Sequence, residues 1–332
     1  MQFRAEFFPT HFPVKIKHTD KLLLMGSCFT EQIGKKLAAH KFQVVENPNG
    51  ILFNPISIAK SVISYTEEKI YTEEDLFYHN ELWASREHHT RFSDPDKTGA
   101  LKKINESQAV ANNFIKNADW LLITLGSAFV YEWKHIEAQN NYKNVAANCH
   151  KIPTDKFNRR LTDPQEIKEV LENMTAAVRN INPSVKIIYT ISPVRHLREG
   201  FIENNRSKAA LISAVHSLTN DLDIFYFPAY ELIMDDLRDY RFFAEDLVHP
   251  NYAATEYVWE KLVAAVIDES SRKIMQEIND INAAKNHKAF NPISDAHRNF
   301  LKTNLEKTVL LAEKFPYLNL VSELDFFRNS GS

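Results

Sequence analysis

Residues 22–34 read LLLMGSCFTEQIG. Leu22 to Met25 is a short apolar run, Gly26-Ser27-Cys28 interrupts it, and a helical pattern follows from Glu31 to Lys41 with Thr30 at the N-cap position. The stretch reads as strand, tight turn and helix. The same grammar recurs at Trp120 to Leu125, which runs into Gly126 and Ser127. Lys186 to Ile191 closes at Ser192-Pro193, and Ile224 to Phe227 closes at Pro228; both have the apolar, β-branched or aromatic composition of buried strands. Phe42 to Val45 is a weaker strand candidate.

Helices fall between these strands. Asp163 caps and Pro164 opens one in which Ile167, Val170, Leu171, Met174, Val178 and Ile181 form a single apolar stripe, stopped by Asn182-Pro183. Asn205 to Leu218 reads as another. Strands alternating with helices predict a parallel sheet covered on both faces. After Asn251 a long helix extends to about Val266, followed by a polar stretch from Asp268 to Lys288, a helical run from Ser294 to Lys314, and a strand candidate at Leu318 to Val321. The expected organisation is an α/β domain over 1–268 and a C-terminal helical appendage over 269–332, with no internal repeat.

A chain of 332 residues, 44% of them hydrophobic, can bury a large core without metal or disulfide. Its formal net charge of −3 argues against nucleic acid and anionic membranes as partners. The opening MQFRAEFFPTHF has no continuous apolar run, and no later stretch approaches the ~20 apolar residues that cross a bilayer. The expected location is the cytoplasm, with Cys28 and Cys149 as free thiols. Glycine is scarce, at 7 residues. Two of them, Gly26 and Gly126, end apolar strands, where α/β proteins carry functional loops.

Cys28 follows the first strand and opens onto a helix, where backbone N–H groups and the helix dipole favour a thiolate; the alternative is a small buried filler. Asp246-Leu247-Val248-His249-Pro250 precedes the late helix. An Asp three residues before a His in a turn can accept the Nδ1 proton and leave Nε2 free as a base. His249 is the only one of the 13 histidines with Asp at that offset.

Together these residues carry a resemblance. The 22–34 stretch resembles the first block of SGNH (GDSL-type) hydrolases, in which Gly-Asp-Ser ends a strand, and Asp246 to His249 matches their final Asp-x-x-His block. GSCF at 26–29, NGILFNP at 49–55, ANCHK at 147–151, SPVRH at 192–196, YFPAYE at 226–231 and DLRDYRFFAEDLVHP at 236–250 resemble the bacterial GSCFA family. The resemblance implies a three-layer α/β/α fold, a flavodoxin-like sheet ordered 2-1-3-4-5, and hydrolysis or transfer of an acyl group. It puts Cys28 at the nucleophile position; Ser27 is the alternative, one residue out of register.

One departure matters. The third block, Gly-x-Asn-Asp in that superfamily, is Gly126-Ser127-Ala128-Phe129 here, so the side-chain amide of the oxyanion hole is missing. Loss of such a donor costs about 3 kcal/mol of transition-state stabilisation. Substitutes are the N–H of Cys28, the N–H of Gly50, the Ser127 hydroxyl and the Asn54 amide.

His150, beside Cys149, is expected to line the cleft. Arg195 and His196 follow a strand end and can bind a substrate carboxylate or phosphate. Arg238 and Arg241, interleaved with Asp235, Asp236 and Asp239, read as a surface network, and Phe242 and Phe243 as core or acyl-pocket wall. His88 and His89 beside Glu87 lack metal-ligand spacing, and no Gly-rich loop cradles a phosphate, so neither metal nor cofactor is expected. The expected partner is a small or carbohydrate-linked acyl substrate. The competing reading is a ligand-binding protein on a degenerate hydrolase scaffold.

Overall fold

The fold is that of a computed structural model, which describes residues 4–136 and 142–330. In chain order the main elements are β1 (Lys21–Gly26), α1 (Cys28–Ala39), β2 (Gln43–Glu46), α2 (Pro55–Thr66), β3 (Leu76–His79), β4 (Leu82–Ser85), α3 (Lys97–Ile115), β5 (Trp120–Leu125), β6 (Phe129–Trp133) and β7 (Phe157–Leu161). They continue with α4 (Pro164–Ile181), β8 (Lys186–Ile191), α5 (Phe201–Leu218), β9 (Ile224–Phe227), the single turn α6 (Ala229–Glu231), α7 (Tyr252–Val266), α8 (Glu269–Asn286), α9 (Asp295–Lys314) and α10 (Val321–Ser330).

Five strands form one parallel sheet in the order β2-β1-β5-β8-β9, which is 2-1-3-4-5 by their sequence among themselves. The sheet's side chains alternate between two cores, as the period of two along a strand requires. Leu23, Met25, Leu121, Ile123, Ile187 and Tyr189 join the layer made by α2, α3, α4 and α5, while Leu22, Leu24, Trp120, Leu122 and Ile188 join α1 and α7 on the other face. This is the expected three-layer α/β/α arrangement. Strand β1 comes so close to β5 that a Cβ on Gly26, whose φ is +138°, would meet the Thr124 carbonyl oxygen at 2.2 Å. Only glycine fits there.

Strands β5, β8 and β9 coincide with the expected runs, and α4 begins as read, with Asp163 accepting from the N–H groups of Gln165 and Glu166. Other elements differ. Helix α1 starts at Cys28 with Ser27 in the N-cap position, so Thr30 is a buried residue inside the helix; its N–H donates to the Ser27 carbonyl at 2.9 Å. The polar stretch after Asp268 is itself a helix, α8, whose Ile274, Ile278 and Ile281 repeat every three or four residues under a charged surface. Leu318 to Val321 is not a strand: Leu318 and Leu320 pack into a small core with α8, α9 and Phe327 of α10. Its apolar residues are spaced for one side of a helix entry. Two antiparallel hairpins, β3-β4 and β6-β7, were also not anticipated.

The C-terminal helices sit against the α/β body. The His18 N–H donates to Ser271 Oγ at 2.8 Å, and Lys41 pairs with Glu323 at 2.9 Å. Among the described residues no helix is long and apolar enough to cross a membrane.

Candidate active site

The carboxyl edge of the sheet carries the residues singled out above. Cys28 is the first residue of α1, immediately beyond the close approach of β1 to β5 at Gly26. It is half-buried and free, whereas Ser27 is 1% exposed with its hydroxyl unpartnered among the described residues. Burial pushes the Cys28 thiol up. The N–H groups of Phe29 and Cys28 and the charge of Lys208 pull it down, and Glu31 adds to the rise.

His249 is presented by a compact loop. Its Nδ1 donates to Asp246 Oδ2 at 2.6 Å, and Asp246 Oδ1 accepts from the N–H groups of Val248 and His249, each at 3.0 Å. These backbone donors, more than the imidazole, hold the Asp246 carboxyl down at about 2. Leu247 completes the turn at φ +59°, a left-handed conformation rare for a branched side chain. The Arg195 N–H reaches the Val248 carbonyl at 3.4 Å, which docks this loop on the end of β8.

The two halves meet through their helices. The Thr255 hydroxyl lies 3.2 Å from Gln32 Oε1, Lys36 pairs with Glu256, and His40 stacks on Trp259 at 5.5 Å. Contacts that ascend together along both chains mean that α1 and α7 run parallel, side by side. Their N-terminal ends therefore lie together, with Cys28 at the head of one and His249 three residues before the other. Residues more than two hundred positions apart share one edge.

The expected oxyanion donors fare unequally. The Gly50 N–H is spent on the Asn47 carbonyl at 2.7 Å, so its expected role as a donor is corrected: the tight turn that needs glycine at φ +82° also consumes its amide. The N–H groups of Gly126 and Ser127 both donate to the Phe53 carbonyl, at 2.8 and 3.0 Å. Ser127 Oγ accepts from the Phe129 N–H at 3.1 Å and sits 3.3 Å from Ser207 Oγ. Asn54 caps α2 by accepting from the Ser57 N–H at 2.7 Å, which leaves its NH₂ group as a donor. Of the first-turn N–H groups of α1, that of Thr30 is spent on the Ser27 carbonyl, and those of Cys28 and Phe29 remain.

A cleft of about 530 Å³ opens beside this edge, walled by Phe53, Phe129, Tyr131 and Phe157 and containing Asn54, Ser127, Cys149, His150, His196 and Arg198; Cys28, Asp246 and His249 do not line it. His150 is fixed in the wall: Nε2 lies 2.8 Å from the Ser85 carbonyl and the ring is edge-on to Phe77. His196 stands edge-on to Phe53 at 5.2 Å, and burial, then Lys208 and His249, push its imidazole down to about 4. Arg195 lies over the rings of Phe243 and Tyr240, at 4.9 and 5.5 Å. Phe243 is core, Arg241 pairs with Asp239, and buried Asp236 accepts from Tyr257 at 2.5 Å. His88 is buried against Tyr71 and Phe92, held down to about 3 by burial. Among the described residues no group of three or more His, Cys, Asp and Glu side chains is placed to hold a metal ion.

The GSCFA family model matches residues 21–262, and that of the GSCFA C-terminal domain matches residues 278–330. The chain belongs to the GSCFA family. No curated protein matches the sequence. Among solved structures it is similar to a carbohydrate esterase family 3 protein from Talaromyces cellulolyticus, at 13% identity and a TM-score of 0.36, covering 79% of this chain and 99% of that one. An acetyl esterase mutant with acetate ion gives 13% identity and 0.36, over 79% and 100% of the two chains. An acetyl xylan esterase from the rumen bacterium Butyrivibrio proteoclasticus gives 12% and 0.35, over 76% and 64%.

Sequence reasoning missed Lys208. Its side chain is 1% exposed, and Nζ donates to the carbonyls of Gly126 and Ser192, each at 2.7 Å. The available signal was its register: Lys208 stands three and seven residues before the buried Leu211 and Val215, a lysine on the apolar stripe of a helix.

Proposed function

We propose that this GSCFA protein hydrolyses or transfers the acyl group of a small or carbohydrate-linked ester or thioester, through Cys28, His249 and Asp246. The observation that carries the reading is the 2.6 Å pairing of His249 Nδ1 with Asp246 on the loop leading into the helix that lies alongside the one headed by Cys28.

In the proposed mechanism Cys28 Sγ attacks the carbonyl carbon as His249 Nε2 takes the thiol proton. The N–H groups at the start of α1 and the Asn54 amide face the developing oxyanion. Collapse expels the leaving group, which receives the proton from His249, and leaves a thioester on Cys28. Water or an acceptor hydroxyl then attacks with His249 again as base. Asp246, ionised at any pH above about 2, holds the imidazole in the tautomer with Nε2 free. A thiol raised by burial makes such a base necessary. The aromatic walls and polar groups of the cleft fit a sugar or similarly sized ring. Two free thiols fit a reducing compartment, the cytoplasm.

The test is turnover of acyl p-nitrophenyl esters and thioesters by wild type, Cys28→Ala, Ser27→Ala and His249→Ala. Loss in the Cys28 and His249 variants with retention in Ser27→Ala is expected; unchanged turnover in all three removes the mechanism. A second reading, a binding protein on this scaffold, is favoured by the Gly126 and Ser127 amides being consumed by Phe53. Absence of any turnover, with saturable ligand binding in the cleft, would select it.

A further inference from the structure

The cleft beside the sheet edge is lined by two cations, Lys151 and Arg198, and among the described residues by no aspartate or glutamate. Neither cation makes an ion pair or a side-chain hydrogen bond among those residues; the Arg198 guanidinium lies over the Tyr131 ring at 5.6 Å, which orients it without neutralising it. The uncommitted amides are donors too. Asn148 Oδ1 accepts from the Thr90 hydroxyl at 3.1 Å and the His150 N–H at 2.8 Å, and Asn54 Oδ1 from the Ser57 N–H, so each keeps only its NH₂ group to offer. Ser127 and His150 are spent within the fold, and the Thr154 hydroxyl can serve either way. A neutral polyol donates as much as it accepts and needs side-chain acceptors, in which this cleft is poor. A carboxylate or phosphate only accepts, and its charge answers the two cations.

We propose that this cleft binds a sugar through an anionic substituent, a carboxylate or a phosphate, held by Arg198 and Lys151 with the ring against the aromatic walls. The two cations are carried by separate segments. Arg198 follows β8, whereas Lys151 sits in a tight turn before β7 that closes with the Ile152 N–H on the Cys149 carbonyl at 2.8 Å. His150 and Lys151 are both left-handed there, at φ +47° and +58°, in a turn that usually takes asparagine and glycine. The bond from His150 Nε2 to the Ser85 carbonyl anchors the turn, and with it the place of Lys151. A volume of about 530 Å³ suits one ring and its substituents. Only the step from bound sugar to substrate rests on the acyl-transfer reading. Asn54, given to the oxyanion there, lines this cleft, and the Leu52 N–H ties the same segment to the Gly26 carbonyl at 3.0 Å, two residues before Cys28. The substrate class is then the acyl ester of an acidic sugar, a uronate or a sugar phosphate.

The experiment is titration calorimetry of the whole chain with glucuronate, glucose 6-phosphate and glucose, on wild type, Arg198→Gln and Lys151→Gln. Both side chains are exposed, and glutamine keeps an N–H donor without the charge, so the variants remove the charge and leave the fold. Cys149 lines the cleft and Cys28 does not, which gives a reporter of place: iodoacetamide labelling of each thiol is read by peptide mass spectrometry with and without sugar. The expected result is saturable binding of at least one acid that slows labelling of Cys149 and not of Cys28, with glucose inert. Each variant should weaken that binding about tenfold, and added salt should weaken it in wild type. Binding of glucuronate alone selects the carboxylate, and of glucose 6-phosphate alone the phosphate. Saturable binding of neither acid overturns the inference, as does glucose binding as tightly as the acids, or acids binding Arg198→Gln and Lys151→Gln as tightly as wild type. Should an acid bind in a protein that turns over no ester, the anion site stands and the acyl-transfer reading fails alone; should neutral esters turn over while no acid binds, the reverse holds.

Discussion

Both oxygens of Asp246 are consumed by the loop that presents His249: one accepts Nδ1 at 2.6 Å, and the other accepts the N–H groups of Val248 and His249. The carboxylate thus builds the turn and orients the imidazole at once. Asp246→Asn retains an oxygen for the two backbone donors but offers an NH₂ group or a weaker acceptor to the ring, favouring the wrong tautomer. Ester turnover should fall by ~10²–10⁴ while the fold persists. Circular dichroism beside kcat measurements checks this, and a loss below threefold would deny Asp246 its orienting role. Because its carboxyl titrates near 2, the acid limb of any pH–rate profile above pH 4 belongs to another group.

Ser27 and Cys28 are separated by stability and turnover measured together on one variant. The Ser27 hydroxyl is buried, makes no cap bond to α1 and has no partner among the described residues. Ser27→Ala therefore removes an uncompensated polar group, and stability should hold or rise by up to ~1 kcal/mol with activity retained. Urea denaturation midpoints test the first point and turnover the second. A destabilisation above ~1 kcal/mol would mean that the hydroxyl has a partner in solution.

The same residues show what sequence conveys and what it hides. Strands β1, β5, β8 and β9 were legible because a buried parallel strand is a continuous apolar run, and the Asp246–His249 pair because its geometry is local, three residues apart. Gly50 could not be judged in advance. Whether its amide is free depends on a turn closing on Asn47, which is a matter of backbone conformation. Lys208 was hidden for the opposite reason: its partners, Gly126 and Ser192, are main-chain carbonyls 82 and 16 residues away, and carbonyls leave no trace in residue type. Helix α8 was hidden by its polarity, since only one side of it meets other helices.

Gly26 offers a test of how tightly the sheet edge is built. Ala at this position would place its Cβ 2.2 Å from the Thr124 carbonyl oxygen at a φ of +138° that alanine rarely adopts. Either β1 and β5 part or the Cys28 turn shifts. Gly26→Ala should cost at least ~2 kcal/mol, and the rate at which iodoacetamide labels Cys28 should change. Guanidinium denaturation and thiol labelling read the two effects, and a variant as stable as wild type would contradict the close approach of the strands.

Glu87 gives the clearest pH dependence of stability outside the site. It accepts from Lys69 at 2.9 Å and Tyr71 at 2.8 Å, and Lys60 lies 3.5 Å away. Burial raises its carboxyl, but Lys60, Lys69 and these bonds outweigh it and bring the group down to about 2. The unfolded value is about 4.3. A folded value below the unfolded one means that the contribution is complete above about pH 4.3 and is lost as pH falls toward about 2. Glu87→Gln leaves the half-buried Lys60 and Lys69 without their anion and should cost ~2 kcal/mol at pH 7. Below the folded value the wild-type group is itself protonated, so the gap between wild type and variant should narrow steadily from pH 5 to pH 2. Urea midpoints at pH 7, 5, 4 and 3 measure it. A gap that stays constant over that range would show that the carboxylate's charge is not what the two lysines require.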